Sequence, residues 1–265
     1  MTLYSTLSSF TTLPPAMPEG GYDTKLDKSS AMNGQGWGNG PAPKGAKWPT
    51  CNTSPPQAPH RPYNAYVAPF HFYRLEFVRL DGDDIQKHWR EWYPTAAQPG
   101  PAVPDLKPGP ALGANFSAEW PYPIAYDSVR AAPNNYRLLY EDGKMRLLEV
   151  VIRPGETTPM HGHPYSSVLA FNAISGPAGD ISETKLDPAS PLNGQNAGYG
   201  APPSVLDMKV PTCSTMGPQA PHKIHNAGAT PLHYYRMEFK RVDGDAFLTN
   251  WRTWYPWMLY MPFMR

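Results

Sequence analysis

Pro231-Leu-His-Tyr-Tyr-Arg-Met-Glu-Phe-Lys-Arg-Val242 alternates with a period of two. In an extended chain His233, Tyr235, Met237 and Phe239 share one face, and Arg236 and Glu238 share the other. The same alternation stands 162 residues earlier, where His71, Tyr73, Leu75 and Phe77 oppose Arg74 and Glu76. Long strands are therefore expected over 68–80 and 231–242, with the apolar face toward a core and Glu238 facing outward. The fold is built twice.

The duplication extends upstream and downstream. Thr24-Lys25-Leu26-Asp27 recurs as Thr184-Lys185-Leu186-Asp187, and Gln57-Ala58-Pro59-His60 as Gln219-Ala220-Pro221-His222. Trp89-Arg90-Glu91-Trp92-Tyr93-Pro94 returns as Trp251-Arg252-Thr253-Trp254-Tyr255-Pro256. A constant offset of 160–162 residues marks a repeated architecture rather than chance matches. Each copy closes on a short amphipathic helix, with Ile85, Trp89 and Trp92 or Phe247, Trp251 and Trp254 as its apolar stripe. Asp83 and Asp245 are the expected caps. The predicted organisation is a first unit over 1–95, a Pro/Gly-rich linker over 96–122, and a second unit over 123–265.

Tyr4-Ser-Thr-Leu-Ser-Ser-Phe10 aligns with Tyr165-Ser-Ser-Val-Leu-Ala-Phe171, which puts Met1 opposite Gly162. The first copy thus has no counterpart of the strands read at 136–140 and 145–153. That leaves sheet edges and an apolar face to be covered. A second copy of the chain (a homodimer), the second repeat, or strands encoded upstream of Met1 would serve, and the upstream origin is the favoured expectation.

Composition agrees with an all-β chain. Proline reaches 34 of 265 residues, and 16 Tyr, 8 Trp and 9 Phe accompany 22 Gly. Short strands joined by many turns use residues in this way. A formal net charge of +1 gives no basis for a nucleic-acid partner. No run approaches the ~20 apolar residues needed to span a bilayer. The first residues also lack the basic start and small-residue cleavage site of a secretion signal. No membrane association is expected, and the cytoplasm is the default location, with secretion open should sequence precede Met1. Cys51 and Cys213 hold equivalent places in the two copies, and each is expected to be a small buried apolar residue rather than half of a bridge.

Only the second copy carries a metal-site signature, Gly155-Glu-Thr-Thr-Pro-Met-His161-Gly-His163. On a strand, the i, i+2 spacing turns both imidazoles to one face, so that both can reach one ion. A third ligand must come from another strand, and His222, four residues before Asn226, is the candidate. His225 is expected to face a turn, and His60 and His71 to be structural. Tyr165, Ser167, Asn172, Asn226 and His233 are weaker candidates to line a ligand pocket. Neither Glu156 nor Glu238 is expected to reach the site, so no general base is evident.

These residues resemble the cupin superfamily. Gly155, five residues and His161-x-His163 match the start of its first motif, and His222 with three residues before Asn226 matches the end of its second. The resemblance implies two tandem jelly-roll β-barrels, the first incomplete at its N-terminus, with a metal held by His161, His163 and His222 inside the second. The pattern is broken in two respects: Ser167 and Val168 stand where the family supplies a glutamate, and Gln219 where it has glycine. Three neutral imidazoles leave an ion its full charge, which suits Zn²⁺, Fe²⁺, Ni²⁺, Cu²⁺ or Mn²⁺. A metal-dependent enzyme of dioxygenase or isomerase type, acting on a small organic molecule, is the leading expectation. A cupin that binds a small ligand without turning it over is the alternative.

Overall fold

The computed structural model describes residues 5–10, 21–25, 27, 29–30, 37–38, 49–54, 56–64, 71–80, 84–92, 120–171, 181–193, 212–241, 250, 252–254 and 256. The chain is all-β: antiparallel sheets with a few short helices. The first repeat contributes β1 (Ser5–Phe10), β2 (Gly21–Lys25), β3 (Trp37–Gly38), β4 (Thr50–Ser54), β5 (His60–Asn64), β6 (Tyr73–Phe77) and the helix α1 (Ile85–Trp92). After a short 3₁₀ turn and the helix α2 (Ser128–Ala131), the second repeat begins with β7 (Tyr136–Glu141) and β8 (Met145–Ile152). Then come β9 (His161–His163), β10 (Ser166–Phe171), β11 (Ile181–Lys185), β12 (Thr212–Met216), β13 (Gln219–Asn226) and β14 (Leu232–Phe239).

Sheet order confirms the duplication read from the sequence. β4-β1-β6 in the first repeat corresponds to β12-β10-β14 in the second, and the pair β2-β5 to β11-β13. The second repeat adds β8 and β7 beyond β14, and β9 beside β13. Among the described residues the strands form open sheets that do not close into a barrel. Isolated bridges outside the strands tie Thr157 to His225 on β13 and Asp127 to Gly162 on β9. The expected closed barrels are in that respect corrected.

The alternation in β14 is observed, but both of its faces are buried. Met237 and Phe239 pack in one cluster with Leu7, Cys51 and Phe77 of the first repeat and Met145, Val168 and Ala170 of the second. The apolar face therefore seals the two repeats together. Tyr73 lies 5.5 Å from Phe239, and Phe77 lies 5.6 Å from Tyr235, between ring centroids. Tyr73 and Tyr235 are equivalent in the repeat, as are Phe77 and Phe239. Such exchanged contacts are the mark of a two-fold relation, here within one chain.

The cysteines follow from the same relation. Cys51 on β4 and Cys213 on β12 are equivalent residues meeting across the interface, and they form a disulfide spanning 162 residues. The expectation of unbridged cysteines is overturned, because pseudo-symmetry brings equivalent strands together. By the chain-entropy argument, closing so long a loop stabilises the fold by up to about 5 kcal/mol. The double substitution Cys51→Ser/Cys213→Ser is expected to lower the urea midpoint markedly, and an unchanged midpoint would show that the bridge constrains nothing.

The opposite face of β14 carries Tyr234, Arg236 and Glu238 into the interior of the second repeat. Register lines them up with neighbours across the sheet: Arg146, Glu238 and Ser167 form one row, and Leu148, Arg236 and Leu169 the next. Val150, Tyr234 and Phe171 make a third row, which Tyr136 extends on β7. Apolar packing of Leu148, Val150, Ile152 and Leu169 fills the lower part of this interior. The upper row is charged, and it faces the histidines.

Trp120 and Tyr122, in the stretch read as linker, are buried against Met160 and Ala220. The rest of that stretch, residues 96–119, lies outside the described residues, as do Asp83, Asp245, Phe247 and Trp251. No helix among the described residues is long and apolar enough to cross a membrane.

Candidate metal centre

Two short strands bring the histidines together. β9 pairs antiparallel with β13, setting His161 opposite His222 and His163 opposite Gln219, with a bulge between the two pairs. Gly155 precedes them in the left-handed region (φ 74°), where glycine is favoured. Gly162 has no room for a side chain, since a Cβ there would lie 3.1 Å from the Gln219 carbonyl oxygen and 3.1 Å from Trp120 Cζ2. Trp120 Nε1 donates to that same carbonyl at 2.9 Å, locking the approach of β9 to β13.

His161, His163 and His222 converge as the spacing predicts. Each offers a ring nitrogen, and the three nitrogens lie within 4.8 Å of one another. Ring centroids stand 4.7–5.6 Å apart. All three side chains are buried. Nδ1 of His161 lies 2.8 Å from the Pro159 carbonyl oxygen, and Nδ1 of His222 lies 2.8 Å from that of Ala220. Nδ1 of His163 lies 2.8 Å from Glu238 Oε1. An acceptor at every Nδ1 places the proton there and makes each Nε2 the lone-pair nitrogen; that of His161 accepts from the Tyr136 hydroxyl, which a bound metal would displace. His163 Nε2 is buried without a hydrogen-bond partner, the state of a ligand atom awaiting an ion. The donor set fits a divalent transition metal.

Burial, followed by the neighbouring imidazoles and Arg236, holds His161 well below the usual histidine range. Burial and Arg236 do the same for His163, and burial also lowers His222. Neutral rings are the binding form. In metal-free protein the sign is clear: the unfolded chain takes up protons below about pH 6.5 that the folded cluster refuses. Stability is present above that pH and falls on acidification, by roughly 1.4 kcal/mol per pH unit for each such histidine. Urea unfolding of chelator-treated protein at pH 7.5 and 5.5 is expected to show this drop, and equal midpoints would contradict it.

Glu238 corrects the sequence reading. It is fully buried, not outward, and its two oxygens are shared among three partners. Oε1 accepts from Arg236 Nε at 2.9 Å and faces His163, while Oε2 accepts from Arg146 Nε. Arg146 also grips Asp127 with both terminal nitrogens. Burial opposes the Arg146 charge, yet Glu238 and Asp127 hold the guanidinium above its usual range. The network anchors the His163 ring to the sheet behind it. No spacing rule pointed to Glu238, because the alternation assigned its face to solvent.

Tyr136 was also missed. Its hydroxyl lies 2.7 Å from His161 Nε2. Burial raises the Tyr136 phenol well above its normal range, so it keeps its proton.

The weaker pocket candidates separate. Ser167 is buried on the inner row beside Glu238, and its hydroxyl has no partner. Tyr165 is buried beneath Arg146, whose Cζ lies 5.1 Å from the ring centroid, and burial pushes its pKa up to about 12. Asn226 spends its amide on Ile152 and Thr230 carbonyls and on the Gly228 N–H, which makes it a turn fastener. His233 lies on the interface face of β14, 3.2 Å from Glu149. Asn172 lies outside the described residues. His225 meets Thr157 at 2.8 Å and lies within β13, opposite Ser182, rather than at the turn expected of it. Glu156 binds Asn135 and the Arg153 N–H.

No protein-family model and no curated protein matches the chain. Among solved structures it is similar to a cupin domain from Bordetella pertussis Tohama I, at 15% identity and a TM-score of 0.28, covering 40% of this chain and 92% of that one. The chain is also similar to oxalate decarboxylase from Bacillus subtilis, at 10% identity, 91% coverage of this chain and a TM-score of 0.23. The chain spans 64% of the length of that oxalate decarboxylase. Scores this low describe a distant likeness, and the weight of the cupin reading lies on the histidine motif and its geometry.

Proposed function

We propose that the second repeat is a metal-dependent cupin enzyme acting on a small organic molecule, by chemistry of dioxygenase or isomerase type. The observation that carries this reading is the trio of buried imidazoles, each with Nδ1 against an acceptor and each offering a ring nitrogen within 4.8 Å of the others. A divalent ion bound there by His161, His163 and His222 would polarise a carbonyl or activate a bound water. The first repeat, with His60 alone from the motif, serves as a packing partner in a duplicated cupin. The units 1–95 and 123–265, joined over 96–122, are its working division.

The chain's own residues supply two further functions. Glu238 orients His163 and raises its basicity as a ligand, and its commitment to Arg146 and Arg236 keeps it from acting as a base on substrate. Tyr136 holds a proton beside His161 Nε2 and is the group placed to donate it to a bound oxygen atom. The disulfide suits an oxidising compartment better than the cytoplasm expected by default.

One observation favours the alternative, a cupin that only binds its ligand. The buried carboxylates Asp127 and Glu238 are locked by Arg146, and the part-exposed Glu183, 3.6 Å from His222 Nδ1, pairs with Lys185 at 3.7 Å, so none of these three is a free general base. Oxygen uptake and product formation by metal-loaded protein, across thiols, diketones and phenols, decide between the two. Turnover abolished by His161→Ala supports the enzyme. Ligand binding without turnover supports the binder.

A further inference from the structure

We propose that Arg236 and the histidine cluster form a binding site for the carboxylate of a small organic acid. The inference deepens the metal-centre reading by naming a substrate class, and its charge argument rests on that reading.

Arg236 is buried on the inner face of β14. Its Nε donates to Glu238 Oε1, the same oxygen that faces His163 Nδ1, so guanidinium and imidazole flank one carboxylate oxygen. Its Nη2 is buried with no hydrogen-bond partner. An unsatisfied guanidinium nitrogen in the interior is costly, and a native fold retains one where a ligand completes it. Two more buried atoms lack partners nearby: His163 Nε2, and Ser167 Oγ in the row beside Arg236. The positive charge of Arg236 also acts on all three imidazoles.

Charge decides the sign of the ligand. Arg146 and Arg236 are matched by Asp127 and Glu238, and the imidazoles are neutral. A divalent ion adds positive charge that nothing buried around it offsets. An anion satisfies both the ion and the open guanidinium N–H. Carboxylate is the fitting group, since its second oxygen can accept from Arg236 while the first meets the metal.

The test is calorimetric titration of the full chain, zinc-loaded and metal-free, with propionate and with its neutral isostere propionamide. Propionate is expected to bind zinc-loaded protein, with propionamide at least about tenfold weaker. Arg236→Gln and Arg236→Lys are expected to weaken propionate by about ten- to a hundredfold. The lysine variant should keep its zinc content and circular dichroism, since the charge beside Glu238 remains. Ser167→Ala, which removes an unpartnered hydroxyl, should weaken propionate more mildly. Should the protein take no metal and still bind propionate through Arg236, the anion site stands and the metal reading falls. Equal binding of propionate and propionamide, unchanged propionate affinity in both Arg236 variants, or no propionate binding by folded wild-type protein would overturn the proposal.

Discussion

His163→Ala is expected to abolish stoichiometric binding of divalent metal. His163 is the ligand with the most complete support, its Nδ1 held by Glu238 and its Nε2 without any other partner. Losing an outer hydrogen-bond partner of a ligand costs about 10–100-fold in metal affinity, and Glu238→Gln is expected to fall in that range. Losing the ligand itself should exceed it. His233→Ala and His225→Ala serve as controls, because neither ring joins the cluster. Equilibrium dialysis with elemental analysis reads the result. Unchanged occupancy in His163→Ala would remove the site.

The second large effect is on stability. Arg146→Leu strips the guanidinium from between Asp127 and Glu238, which stay buried. An uncompensated buried charge destabilises by about 3–5 kcal/mol. Replacing both members of such a pair with apolar residues is often nearly neutral. Arg146→Leu/Asp127→Leu should therefore recover part of the loss, Glu238 retaining Arg236. Urea unfolding of both variants reports the difference. A single substitution that costs less than about 1 kcal/mol would mean that water reaches this network.

The sequence was most legible where periodicity and spacing act locally. The two-residue alternation over 231–242 marked a strand, and the i, i+2 spacing of His161 and His163 fixed their common face. The repeat identified equivalent strands correctly, as β4-β1-β6 and β12-β10-β14 show. It did not say how the copies meet, so the Cys51–Cys213 bridge went unseen. The same gap misplaced Glu238. A strand with one apolar and one charged face is ordinarily half-exposed, but here the apolar face is covered by the other repeat. The charged face is then left as the inner lining. Tyr136 was invisible for a different reason: it reaches His161 from a strand 25 residues upstream, through a contact that no motif encodes.

The most direct test of the metal centre is X-ray absorption at the zinc edge on zinc-loaded protein. The account predicts three imidazole nitrogens at about 2.0–2.1 Å, with the remaining positions filled by oxygen. Sulfur or carboxylate-only coordination, or failure to load one ion per chain, would contradict it.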